Sequence, residues 1–380
     1  MWKWGVVVLL IACAVWLFFW KPSPRPVKVE LLPFTDSPPA WNGSYPFLTI
    51  SMTGPDSDHV RFDGSILLLK PTVHHDSPVN LFQVDLHTGA FVLRQTDLFV
   101  PDITPLALTR TYRVWNLHSR AFGVGANHPY DICPTGTRNP YTYMDLNLED
   151  GRQIHFRRIS KGTDFADDVL RHEDTSSEFY GAQIAWNGNG WTLKFKDGSA
   201  FTFPEAYHAK NFAQGAAFEM RDAGGHRIQL KRSNVRNLEQ LISPSGRTLT
   251  FKYDAADRIV EAADDAGNVR KYSYDSTGHL ETVSDATRLL FRFEYMRLTD
   301  VKDYDPYVMA TVFDGRDKVL LQNIYDSGGR VREQKLANGE AYRYQYLFDS
   351  KTAEISETIV NDAAGQKKFY FWNGIFKAEQ

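Results

Sequence analysis

The sequence predicts an all-β protein: side-by-side β-hairpins in an open, curved sheet, preceded by one apolar N-terminal helix. Three observations carry this expectation. Aromatic residues make up 14% of the chain, with 18 Tyr and 25 Phe beside 26 Gly, a composition that suits pleated, half-buried strands and tight turns. Asp-Gly pairs flanked by alternating residues stand at Asp150-Gly151 and Asp197-Gly198, the strongest short-range hairpin signal. Finally, Tyr253, Tyr274 and Tyr295 are spaced 21 residues apart, an interval that Tyr325 and Tyr346 repeat.

The N-terminal element is the uncharged run Trp4 to Trp20, whose 17 residues cover roughly 25 Å as a helix, enough to span a bilayer with help from its flanks. Trp2 and Trp4 at one end and Trp16, Phe18, Phe19 and Trp20 at the other sit where an aromatic belt sits. Residues 1–20 are therefore expected to be an uncleaved transmembrane anchor. Two alternatives stay open: a cleaved signal peptide, against which no small-residue cleavage site follows the run, and a lipoprotein attached through Cys13, against which seven apolar residues follow that cysteine. Charge leaves orientation open, since Lys3 lies on one side and Lys21, Arg25 and Lys28 lie on the other. Residues 21–46 hold seven prolines and read as an extended spacer.

Residues 47–204 are expected to form a first β domain and residues 205–380 a repeat sheet. In the first, Leu106, Leu108, Arg110 and Tyr112 fall on one face of a strand. An arginine on an aromatic face calls for ring stacking or a carboxylate, and Asp85, Asp97 and Asp131 are the candidates. In the second, Gly246, Gly267 and Gly339 each precede a repeat tyrosine by seven residues, and an aliphatic follows by six at Ile259, Leu280 and Val331. One unit is thus a glycine turn, a strand ending in Tyr, a second turn and a returning strand. A single unit cannot bury its apolar face, so neighbours must stack edge to edge, as in solenoids.

The segments "GNVRKYSYDSTGHL", "GRTLTFKYDAADRI" and "YDSGGRV" resemble the YD repeats of the Rhs family. Upstream, Thr88, Gly89, Thr96, Asp97, Pro101, Pro105, Leu106, Arg110, Tyr112, Gly123, Gly125, Tyr130 and Asp131 match the uncharacterised domain that commonly precedes those repeats. The resemblance implies a β-strand spiral; in the family it closes into a hollow shell that often holds a C-terminal toxin. Here the array is expected to be too short to close, and neither the family's core motif nor a toxin domain follows.

The chemistry expected is sparse. Signatures of nucleophilic hydrolases, zinc proteases and nucleotide-binding loops are absent from the sequence. His74-His75-Asp76 and Asp56-Ser57-Asp58 read as polar loops rather than metal sites. Asp254, Asp275 and Asp326, which follow the repeat tyrosines, read as turn residues bonding their own backbone, with a carboxylate row for glycoside chemistry as the alternative. The formal net charge of −3 supplies no basic field for nucleic acid. The expectation is a non-enzymatic, cofactor-free scaffold tethered to a membrane, with its body in the periplasm or on the cell surface and a protein or glycan as partner. The alternatives are an accessory or remnant piece of an Rhs toxin-delivery system and a carbohydrate-active enzyme.

Overall fold

The computed structural model describes residues 68–69 and 81–379, apart from short breaks at 117, 138–139, 175–177, 207–208, 210–211, 235–236, 300–305 and 373–374. The apolar run, the proline-rich spacer, His74-His75-Asp76 and Asp56-Ser57-Asp58 lie outside the described residues. Among those described, no helix is long and apolar enough to cross a membrane.

The described chain is all-β and almost wholly antiparallel. Strands Leu68–Leu69, Leu81–Asp85, Phe91–Val100, Leu106–Arg113 and Ala126–Asn127 make a five-stranded sheet. Everything from Cys133–Gly136 to Ile375–Glu379 joins one second sheet of 22 strands, and each pairs with its sequence neighbour as hairpin turns dictate. Both Asp-Gly hairpins form: Asn147 faces Gln153 across the first and Lys194 faces Ala200 across the second. The boundary expected at 204/205 falls inside this sheet, because Ala200–Pro204 pairs directly with Glu219–Arg221.

The large sheet is closed, which corrects the expectation of an open one: the strand order returns from Ile375–Glu379 to Cys133–Gly136. Two physical causes favour closure. A one-residue register slip recurs in front of the repeat tyrosines, at Lys252/Tyr253, Ser273/Tyr274, Glu294/Tyr295 and Ile324/Tyr325, and each such bulge bends its strand and adds twist. The second cause is the five-stranded sheet, which gives the curl something to wrap. Its strand Leu106–Arg113 is buried at every position, and its bonds reach the wall from Glu149 to Thr358. An inner sheet covered on both faces needs no solvent-facing side, which is why Thr109, Arg110 and Thr111 are as buried as Leu106 and Leu108. One continuous core runs from Val84 to Phe371.

Candidate functional site: the junction of inner sheet and repeats

Each repeat tyrosine staples its strand to the preceding repeat. The hydroxyls of Tyr253, Tyr274, Tyr295 and Tyr346 donate to the carbonyls of Leu238 (2.9 Å), Ile259 (2.6 Å), Leu280 (3.0 Å) and Val331 (2.6 Å). Tyr325 does the same to Met309 at 2.6 Å. Three of these acceptors, Ile259, Leu280 and Val331, are the aliphatics that follow a repeat tyrosine by six, so the period of 21 is the period of the staple. Burial pushes all five phenols well above their ordinary pKa, and they act as neutral donors.

The acids beside the tyrosines are consumed by their turns. Asp254 accepts the amides of Ala256 and Arg258, Asp275 those of Thr277 and His279, and Asp326 those of Gly328 and Arg330. At the other end of the hairpins, Gly246, Gly267 and Gly339 have φ of +91°, +86° and +90° with open space around them. Only their left-handed backbone requires glycine. The 21-residue spacing, which gives Tyr274 equivalents at Tyr253 and Tyr295 and Tyr272 only Phe251 and Phe293, makes Tyr272 the more exposed of the central pair, and the structure reverses this. Tyr272 is the buried one, 5% exposed, whereas Tyr274 is half-buried.

The upstream residues singled out in the sequence are those that touch the repeats. The carbonyl of Gly89 accepts from the Val331 amide (2.9 Å), that of Ala121 from the Ile259 amide (2.7 Å), and the Val124 amide donates to the Gly278 carbonyl (3.1 Å). A Cβ on Gly89 would lie 2.8 Å from Arg330 side-chain carbons, and one on Gly123 would lie 2.3 Å from the Gly278 oxygen, at φ of +76° and +79°. Gly125, at φ +81°, makes room for the Tyr112 ring at 2.8 Å. Tyr112 in turn accepts the Met309 amide through its hydroxyl (3.1 Å) and meets Tyr295 edge-on. Pro105 is buried where the chain enters the strand Leu106–Arg113.

Arg110 finds its carboxylate in Asp97, one of the three candidates. Its Nε and Nη2 donate to the two Asp97 oxygens at 3.1 and 3.3 Å, and Tyr272 of the wall donates to the same carboxylate at 3.1 Å. The guanidinium is fully buried, with Phe293 and Phe122 within 5.2 and 6.0 Å. Burial alone would lower its pKa, but Asp97 outweighs this and holds it above its ordinary value. Asp85 and Asp131, the other candidates, pair with Arg113 (2.7 Å) and Arg232 (2.8 Å).

Sequence reasoning did not single out Arg113, Arg232 or the buried cluster of Arg94, Glu149, Asp150 and Arg152, of which only Asp150 was marked, as a hairpin turn. In that cluster burial and the neighbouring Asp150 push Glu149 up, while three arginines outweigh burial and hold Asp150 at about 2. Burial also pushes the Cys133 thiol up to about 12. Among the described residues no group of three or more His, Cys, Asp and Glu is gathered as metal ligands are. The junction's polar groups position one sheet on another.

Two family models match the chain: a domain of unknown function, DUF6531, over residues 83–156, and the RHS repeat over residues 253–289. The first covers most of the inner sheet and the second the central repeats. A curated relative, the "Probable deoxyribonuclease RhsA" of Dickeya dadantii, is 22% identical over 302 residues. That stretch is 77% of this chain and 19% of the relative. Among solved structures, the TcdB2-TccC3-Cdc42 crystal structure is 13% identical with a TM-score of 0.30, covering 77% of this chain and 15% of that one. A porin-like protein from Bacteroides uniformis is 10% identical with a TM-score of 0.22, covering 80% and 96%.

Proposed function

Because the chain is an Rhs-family protein with YD repeats, we propose that it is a non-enzymatic scaffold, tethered to a bacterial membrane by residues 4–20 and presenting its closed β body in the periplasm or on the cell surface to a protein or glycan partner. The observation that carries the non-enzymatic reading is the use made of the repeat's polar groups. Tyrosine hydroxyls are spent on backbone carbonyls one repeat back, and the adjoining aspartates on their own turn amides. Groups held this way are short of the freedom and the exposure that proton transfer to a substrate requires. The tether rests on the sequence: 17 uncharged residues followed by a proline-rich spacer that lifts the body from the bilayer.

A second reading, an accessory or remnant piece of an Rhs toxin-delivery system, is favoured by the relative named as a probable deoxyribonuclease. Since this chain spans 19% of that relative, its activity is not transferred to the scaffold proposed here. Fractionation of a bacterial host expressing the full chain tests the tether. Retention through high salt and carbonate with release by detergent is expected, together with protease access to the body in spheroplasts. Release by carbonate overturns it. A Cys13→Ser chain that stays with membranes separates the helical anchor from lipoprotein attachment, which predicts loss to the soluble fraction.

A further inference from the structure

Where the inner strand Phe91–Val100 runs past the wall at Arg270 and Leu289–Phe291, the two sheets do not meet. They leave a cavity of about 680 Å³ whose lining includes Gln95, Arg270, Leu289, Phe291, Arg288 and Arg316. That volume is in the range of small-molecule sites, commonly ~300 to 1,000 Å³. Its chemistry is one-sided. Asp97 also borders the cavity, but its charge is already taken by Arg110 and Tyr272. Arg270 is half-buried and stands two residues before the inward-facing Tyr272 on the same strand. Among the described residues its guanidinium bonds the carbonyl of Val269 at 3.0 Å and meets no carboxylate.

Arg288 and Arg316 are tied to Asp285 and Asp314 by exposed pairs at 3.2 and 3.5 Å. Such pairs hold their partners weakly and are readily exchanged. Gln95 is 7% exposed and its Nε2 donates to the Thr96 carbonyl at 3.2 Å. Of the remaining lining, Leu289, Leu290 and Phe291 are apolar, and the Thr96 hydroxyl is bonded to that of Thr109 at 2.8 Å.

We propose that this cavity is a binding site for a small organic anion, with Arg270 receiving its carboxylate or phosphate and Leu289 and Phe291 holding its apolar part. Arg288 and Arg316 draw the anion in at the mouth. The site is independent of the membrane tether, since every group in it belongs to the folded body.

N-acetyl-leucine carries both features: a carboxylate and an apolar side chain. Its uncharged relative, N-acetyl-leucine amide, lacks only the anion. Calorimetric titration of the full chain in detergent is expected to show saturable binding of N-acetyl-leucine and at least tenfold weaker binding of the amide. Arg270→Gln is expected to weaken the anion by about tenfold or more, the worth of a charge-assisted hydrogen bond, with Arg270→Lys recovering part of it. Inorganic phosphate, titrated alone and then in competition, identifies the oxyanion: displacement of N-acetyl-leucine by phosphate assigns a phosphate ester, and the converse a carboxylate. If neither anion binds, or Arg270→Gln binds as wild type does, the proposal is overturned. Should Arg270→Gln fail to fold, the comparison of N-acetyl-leucine with its amide on the wild-type chain decides, and equal binding of the two overturns it.

Discussion

Replacing Asp97 by asparagine removes one charge from the junction and leaves the shape unchanged. Arg110 then remains fully buried, cannot shed its proton, and has only a neutral amide oxygen in place of two carboxylate contacts at 3.1 and 3.3 Å. Its Nη1 already has no hydrogen-bond partner, so no spare acceptor is at hand. Breaking a buried ion pair from one side costs about 3 to 5 kcal/mol; the retained amide and the rings of Phe293 and Phe122 place the expected loss near the low end, about 3 kcal/mol. Urea unfolding of the full chain, followed by tryptophan fluorescence, reads this as a fall in midpoint with unchanged slope. The apolar double replacement Asp97→Leu with Arg110→Met should recover most of the loss, because it removes both charges together. An Asp97→Asn chain within about 0.5 kcal/mol of wild type, less than the net worth of one ordinary hydrogen bond, would mean that water reaches Arg110 and that the wall does not enclose the inner sheet.

Three further outcomes are expected. Gly123→Ala should destabilise by well over the ~1 kcal/mol that left-handed backbone alone costs an alanine, since its Cβ meets the Gly278 oxygen at 2.3 Å, while Gly246→Ala, with nothing near it, should cost only that strain; equal melting shifts would contradict the docking role of Gly123. Tyr272→Ala should lower stability more than Tyr274→Ala, by about 3 to 5 kcal/mol for the packed ring, and the reverse order in thermal melts would put the core on the other tyrosine. Asp168 is 1% exposed, and burial lifts its carboxyl to about 6 despite the Arg158 guanidinium at 3.3 Å; its folded form therefore holds the proton more tightly than the unfolded chain, so stability falls as pH rises from about 4 to about 6 and then levels off. Asp168→Asn should flatten that decline, by no more than about 3 kcal/mol, and wild-type and Asp168→Asn stability curves of equal slope across this window would refute the assignment.

The sequence reaches whatever is local. The Asp-Gly hairpins, the glycine turns and the self-bonded aspartates depend on residues within a few positions of each other, and the 21-residue period shows as plain repetition along the chain. The upstream glycines were legible only through the resemblance to the Rhs-associated domain, whereas Arg110 was conspicuous in itself, because a charge on the aromatic face of a strand calls for a ring or a carboxylate. What was not legible is long-range. Asp97 could be told from Asp85 and Asp131 only by knowing that Tyr272, 175 residues away, completes its bonds. The order of Tyr272 and Tyr274 was misread for a different reason: the 21-residue spacing marks Tyr274 as the repeated ring but says nothing of its depth, and the bulge at Ser273/Tyr274 takes it out of register with Tyr272. Closure escaped for both reasons at once, since it follows from bulges that leave no composition signal and from an inner sheet whose partners are scattered along the chain.

The repeat and the junction share the same atoms, which explains how an irregular inner sheet can fit a regular wall. Ile259 and Val331 each give their carbonyl to the next repeat's tyrosine and their amide to the inner sheet, at Ala121 and Gly89. The bulge that curls the wall therefore also frees the amide that docks it, and curvature and docking are set together at that end of the hairpins. At the opposite end the contact is made by side chains instead. Thr104 donates to Asp222, and Asp102 accepts from Ser243 and Ser245. These anchors serve two successive turns only. Among the described residues the following turns, around Gly267, Asp285 and Asp314, take no hydrogen bond from the inner sheet, and there the sheets part to form the arginine-lined cavity. A wall held at Ile259, Gly278 and Val331 at one end and at two turns at the other leaves its unfilled space where Arg270, Arg288 and Arg316 stand, and the proposed ligand site falls on the less supported side.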